Sequence, residues 1–524
     1  MHGSLFGAHG VERSAHFEFK LETTCRRACH DKQNERRAAI QQLDPRFHEP
    51  ITPTDTSILS QPIAKLIENV HSGELTPLTV LTAYTKKALA AHAQTNCLSE
   101  ILVESAQRWA NSSKFSAENL KEKRNLESLP LAGGPVSLKD TVGVEGYDSC
   151  IGYSAWVGKP FPRHSALVRL LLDAGAVPFV KTTIPITNQP YNKGYSPGGS
   201  SGGEAALLAY GGSRVGVGTD VAGSRFLKAG NATSMPGQEG VSPVYSPMAR
   251  TLDDLDTFWQ AVMSMKPWKY DPRNDPGLSG TGLNLAAQLL LADGGSYHTF
   301  TPRTVEFIPR LSLQAKSPLN PFGSESSTTQ AWFRRCACSP SRALSILYSW
   351  FVRYIYRDPL YAVLIAGWHE KPMTEYMNLV AQREEYRLKW FEMWNGSGGD
   401  GEKGGDGGWD FILTVPNALP AVPHGGMKDG WKSCGYTFLW NLLDYSAGVM
   451  PIMHVNSVLD RLAPRFAPRN AIEKGAYDPV SMSGLPVGVQ VIGRRLEELK
   501  VMEGMKIIEG LLTKEGIQYE GIKI

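Results

Sequence analysis

The stretch from Ser196 to Arg225 constrains this chain more than any other. It reads Ser-Pro-Gly-Gly-Ser-Ser-Gly-Gly-Glu over 196–204 and Gly-Thr-Asp-Val-Ala-Gly-Ser-Arg over 218–225. Each loop sets a serine beside glycine, Ser200 in the first and Ser224 in the second. Glycine lets the backbone adopt conformations closed to other residues and leaves room for a ligand. The apolar, small-residue segment between the loops, Glu204 to Tyr210, predicts a short buried helix, and Val215 to Val217 a strand after it. Both serines then lie on loops at the ends of packed elements, where catalytic residues concentrate.

A glycine- and serine-rich loop taken alone is a turn as readily as a site. A phosphate cradle is the other alternative, since such loops expose backbone N–H groups. However, Gly198 to Glu204 lacks a Gly-Lys-Ser/Thr ending, and Gly216-Val217-Gly218 lacks the third glycine of a dinucleotide fingerprint. The segment Gly134-Pro-Val-Ser-Leu-Lys-Asp140 adds a third element. Lys139 ends an apolar run that reads as a buried strand. A lysine entering a core is costly unless it is paired or neutral. A neutral lysine is a base, and a base beside a serine makes a nucleophile.

Together and in this order, the three pieces resemble the amidase signature family of serine hydrolases. The resemblance implies an α/β fold with a large mixed central β-sheet covered by helices on both faces. It also implies a Ser–cis-Ser–Lys triad: Lys139 as base, Ser200 as bridging serine and Ser224 as nucleophile. Ser224 follows Ser200 by 24 residues, the family's usual interval; that spacing, rather than local chemistry, selects Ser200 over Ser201. The peptide bond before Ser200 is expected to be cis. The oxyanion hole is expected from the backbone N–H groups of Val221, Ala222, Gly223 and Ser224, with Ser200 beside the substrate. No metal or organic cofactor is implied. The partner is a small-molecule amide, and dimers are common in the family.

The chain has 524 residues and a formal net charge of +3, which gives no support for a nucleic-acid or anionic-membrane partner. The seven cysteines include the close pairs Cys25/Cys29 and Cys336/Cys338, neither joined by a second pair at zinc-finger spacing. Reduced thiols in a cytoplasmic protein are the expectation. The N-terminus lacks the layout of a secretory signal, and Glu12, Glu18 and Glu22 argue against a mitochondrial one. The longest apolar stretch, Leu344 to Trp368, is interrupted by Arg353, Arg357 and Asp358, so no membrane span is expected.

Residues 1–50 read as a poorly ordered extension in which Asp31 to Gln42 could form a polar helix. Residues 51–524 read as one domain, with an irregular insert at about 296–345 and a Gly-rich loop at 395–408. A stripe of Ile63, Leu66, Ile67 and Val70 predicts a helix closed by Gly73. Thr76 with Pro77 begins another, running to about His92. Strands are expected at Asn96–Val103, Leu131–Lys139 and Val177–Lys181, with a helix from Ser165 to Ala174 between the last two. That alternation argues for an α/β sandwich. Thr251 begins a helix through Met265, and Pro372–Trp394 another with Met377, Val380, Leu388, Phe391 and Trp394 on one side. Later come a strand at Asp410–Val415, a buried strand at 484–493 and a closing helix at Leu496–Leu512. This C-terminal part resembles the fungal-type general amidases.

The resemblance is broken in places. Ser224 runs directly into Arg225-Phe-Leu-Lys228, and segments look shortened near 184–191, 225–231 and 268–285. Three functions stay open: an amide hydrolase acting through an acyl-enzyme, an amidase-fold protein impaired by these losses, and an amidotransferase-type subunit. Lys181 is a competing basic residue. His424 and His454 are the histidines weighed for a Ser-His-Asp triad. Gly199-Ser-Ser-Gly202 has the wrong spacing for a nucleophile elbow, so His424 is expected at the pocket rim only.

Overall fold

A computed structural model describes residues 8–116, 128–184, 187–221, 229–233, 243–271, 342–367, 372–396, 409–417, 419–426, 435–461 and 477–523. Most of the predicted insert and most of the Gly-rich loop lie outside them. The strands, in chain order, are β1 (Leu98–Ile101), β2 (Pro135–Lys139), β3 (Val177–Thr182), β4 (Tyr195–Ser196), β5 (Val215–Val221), β6 (Pro243–Ala249), β7 (Ile412–Thr414), β8 (Val422–Pro423), β9 (Ala447–His454) and β10 (Pro486–Ile492).

The largest described sheet is mixed, in the order β1-β3-β2-β5-β6. Its centre, β3-β2-β5, is parallel and its outer pairs are antiparallel. Central parallel strands are covered on both faces, so they read as continuous apolar runs. Accordingly β2 and β3 are buried along their whole length. The helix Gly202–Ala209 packs on β2, β3, β5 and β6, and the helices Val103–Ala110 and Ala166–Asp173 pack on β3. A second, antiparallel sheet runs β7-β10-β9, and β4 pairs with β8.

Local chemistry sets the helix ends. Thr52 and Asp55 form a reciprocal capping box, with Pro53 in the first turn. Thr76 accepts from Thr79 N and Ser165 from Val168 N, each satisfying an amide that the helix leaves without a partner. Thr251 caps the helix Leu252–Ser264. Asp254 in its first turn also accepts from Ile63 N at 2.7 Å and Arg214 Nε at 2.6 Å, tying three segments together.

Three regions differ from expectation. The N-terminal helix is longer than the Asp31 to Gln42 expected, running Ala8–Gln41. Lys32 Nζ reaches Glu100 at 2.5 Å and Asp148 at 3.0 Å, and Arg36 donates to Leu98 O at 2.6 Å. The docking groups are polar, so an apolar stripe could not reveal them. The helix Met373–Gly396 is present, but Met377 and Leu388 are exposed. Of the expected side it buries Trp394, and it adds Leu379 and Trp390, because Trp390 and Trp394 close on Trp440 and Tyr445. The strand at 486–492 is fully buried only over its last three residues. Leu344–Trp368 resolves into helices Arg342–Tyr354 and Pro359–Ala366. The break falls at Arg357, with φ of 52°, and Asp358, which caps the second helix. No described helix is long and apolar enough to cross a membrane.

Candidate active site

Lys139 is the last residue of β2 and is completely buried. Its Nζ lies 2.7 Å from Ser200 Oγ, 3.0 Å from Ser201 Oγ and 2.6 Å from Thr219 Oγ1. Ser200 and Ser201 immediately precede the helix Gly202–Ala209, and Thr219 belongs to β5, the parallel neighbour of β2. Three elements, β2, the start of the helix Gly202–Ala209 and β5, therefore converge on one amine. The Gly199–Ser200 peptide bond is cis, as the resemblance implied.

Burial lowers the Lys139 pKa to about 7, because a charged amine loses its hydration there; Asp220, Glu204 and Asp140 oppose the shift. A neutral amine has two N–H donors and one lone pair, matching three hydroxyl partners. Ser201 Oγ accepts from Thr219 N at 3.1 Å and donates to Thr219 O at 3.3 Å. Its proton is thus directed away from the amine, and toward Lys139 it acts as acceptor. The lone pair is left to the proton of Ser200 or Thr219. Ser200 is exposed, whereas Ser201 is only partly so. Local chemistry therefore does separate the two serines: Ser200 is exposed and Ser201 is locked to the β5 backbone. Gly218 makes room for that lock, since a Cβ there would come within 2.8 Å of Ser201 Oγ.

Of the other sequence-predicted residues, Val221 ends β5, while Ala222, Gly223 and Ser224 lie outside the described residues, as does 225–228. Lys181 is equally buried but is not at this site. It donates to Asp148 O at 2.5 Å and Ser149 Oγ at 2.6 Å, with Asp140 at 3.7 Å. Successive side chains of a strand alternate in face, and Lys181 points away from the face that its neighbour Thr182 shares with Ser137 and Glu204. His424 is exposed on a loop, its Nε2 3.1 Å from Lys193 O. His454 stacks on Tyr519. The contacts made by these histidines lead to neither Lys139 nor Ser200. Cys25, Cys29, Cys97 and Cys150 are free thiols.

Sequence reading gave no role to Ser201, Thr219 or Glu204. The available signal was a hydroxyl at 219 just past the predicted strand Val215–Val217, and a lone carboxylate within an apolar helix.

Residues 79–226 match the family model described as Amidase. The chain is 28% identical to an acetamidase of Emericella nidulans, covering 86% of this chain and 89% of the relative. It is 29% identical to amidase 1 of Gibberella moniliformis, covering 88% and 95%. The chain is thus similar to enzymes of the amidase signature family. This is a family of amide-hydrolysing enzymes, and its fold is also that of a solved fatty acid amide hydrolase: the TM-score is 0.64 at 23% identity, over 88% of this chain and 86% of that one. Within this amidase fold the family match ends at residue 226, just past Ser224, and spans the lysine strand and both serine loops.

Proposed function

We propose that this chain hydrolyses small carboxylic amides by a Ser–cis-Ser–Lys relay, and the observation that carries the reading is the buried Lys139 amine held by Ser200, Ser201 and Thr219. Neutral Lys139 takes the proton of Ser200 as Ser200 takes that of Ser224. Ser224 Oγ bonds to the amide carbon, and the carbonyl pair moves onto oxygen. Backbone N–H groups at 221–224 receive that charge; one such donor is worth about 3–4 kcal/mol in other hydrolases. On collapse the C–N bond breaks, and the proton held by Lys139 passes through Ser200 to the leaving nitrogen. Water then enters by the same relay and releases the carboxylate and Ser224. A lysine titrating near 7 suits both directions, because it accepts and returns a proton at neutral pH. Similarity to an acetamidase and an amidase supports small aliphatic amides as first substrates.

The test is ammonia release from acetamide and propionamide by the full chain and by Lys139→Ala, Ser200→Ala and Ser224→Ala. Turnover by the parent that all three substitutions abolish is expected. Full turnover without Ser224, or a folded parent with no turnover of any amide offered, would overturn the reading, and the second result would favour an impaired amidase fold.

A further inference from the structure

Glu204 is a carboxylate with no exposed surface, set in the first turn of an otherwise apolar helix. Nothing in the relay just described uses it. A buried carboxylate without compensation is among the costliest groups a core can hold. Here the compensation is built from the strand that carries the base and from its neighbour. Ser137 Oγ donates to Glu204 Oε1, and Thr182 Oγ1 donates to Oε2 at 2.8 Å. Ser137 lies two residues before Lys139 on β2, hence on the same face. Thr182 is the register partner of Lys139 on β3. The floor of the pocket is Gly216 of β5, where a Cβ would overlap both Glu204 Oε1 and Ser137 Oγ. Three strands thus form a cradle shaped for one carboxylate next to the amine.

Resting on the relay proposed above, we infer that Glu204 is a positioning residue that sets the basicity of Lys139 through its charge, without touching substrate. The electrostatics agree in sign. Burial alone can take a lysine down to about 5–6, where it would be a weak base. Lys139 is held at about 7 because Asp220, Glu204 and Asp140 pull back toward the charged form. Asp220 is partly exposed and bonded to Asn441 Nδ2 at 3.1 Å, so water screens part of its field. Asp140 turns its carboxylate to Ile151 N, Ser99 and Lys181. Glu204 is the fully buried one of the three. Burial raises its pKa to about 7, while Ser137, Thr182 and Lys139 resist. The Cys97 thiol senses its charge as well.

A purely structural reading makes Glu204 a tether between helix and sheet. The two roles separate in the pH profile of kcat/KM for amide hydrolysis, measured alongside thermal unfolding. Lys139→Ala is run first. If it keeps the parent's rate and profile, the relay itself fails, and this inference with it. With Lys139→Ala inactive, Glu204→Gln is expected to move the acid limb to lower pH by at least ~0.5 unit, because loss of a nearby negative charge makes the ammonium easier to deprotonate. The plateau should fall by no more than about tenfold, since the amine becomes a weaker base but stays in place. An unmoved limb, with or without a lower Tm, would leave Glu204 a tether and overturn the inference. Should Glu204→Gln fail to fold, Thr182→Val removes one donor and disfavours the ionised carboxylate. A smaller shift of the limb in the same direction is then expected, and an unmoved limb would overturn it.

Discussion

Lys139 and Lys181 sit on adjacent parallel strands of one sheet, and neither exposes any surface. Burial depresses the pKa of both. Their partners differ. Lys139 meets three neutral hydroxyls. Lys181 meets a backbone carbonyl, the Ser149 hydroxyl and, at 3.7 Å, the Asp140 carboxylate. Hydroxyls can give or take a proton, so the first amine can change its charge without losing its partners. A carbonyl and a carboxylate only accept, so the second amine must keep its protons to satisfy them. Burial makes a lysine expensive; the partners decide whether that cost becomes basicity or a structural cation.

The comparison would break at Lys139→Ala. A loss of kcat/KM of at least ~10³-fold is expected, as for removal of a general base, with the chain still folded at a Tm lowered by the cavity that the buried side chain leaves. Loss of fold instead of rate would make Lys139 structural and erase the contrast. Lys181→Met should do the converse. Leaving Asp140 buried without its cation is expected to cost about 3 kcal/mol in urea unfolding, while the folded fraction keeps the parent's pH profile. A third test is the pH profile itself. The active form is the neutral amine, whose pKa is lowered to about 7, so kcat/KM should hold above that pH and fall below it as Lys139 gains a proton. A limb displaced to the ordinary carboxylate range would place the titrating group elsewhere. Thr219→Val should have the smallest effect, about tenfold on kcat with little change in KM, because it removes one of three contacts that aim the amine.

The parts of this contrast were unequally legible in the sequence. The strand ending at Lys139, the helix after Ser201 and the strand begun at Val215 followed from apolar runs bounded by glycine, though Thr219 was read as loop rather than strand. The caps at Thr76, Ser165 and Thr251 followed from side chains with a local hydrogen-bond role. These are short-range signals. The choice of Lys139 over Lys181 rested on motif resemblance, since both residues end apolar runs. Their distinction depends on strand faces and on a loop, Asp148–Ser149, far from either motif in sequence. The Glu204 cradle draws on three strands, so a lone acidic residue gave no sign of it. The docking of Lys32 on Glu100 and Asp148 was missed for the same reason. The buried side of the helix Met373–Gly396 was only partly read because Trp440, on a distant helix, and Tyr445 choose the face. Long-range polar partnership leaves no periodicity.

The most direct measurement is intact-mass analysis with peptide mapping after exposure to a serine-reactive fluorophosphonate, comparing the parent with Lys139→Ala and Ser224→Ala. One adduct on the parent, mapped to Ser224, is expected, with labelling strongly slowed in Lys139→Ala and absent in Ser224→Ala. An adduct on Ser200 or Ser201, or labelling of Lys139→Ala at the parent's rate, would contradict the assignment of the buried amine as the base that activates Ser224.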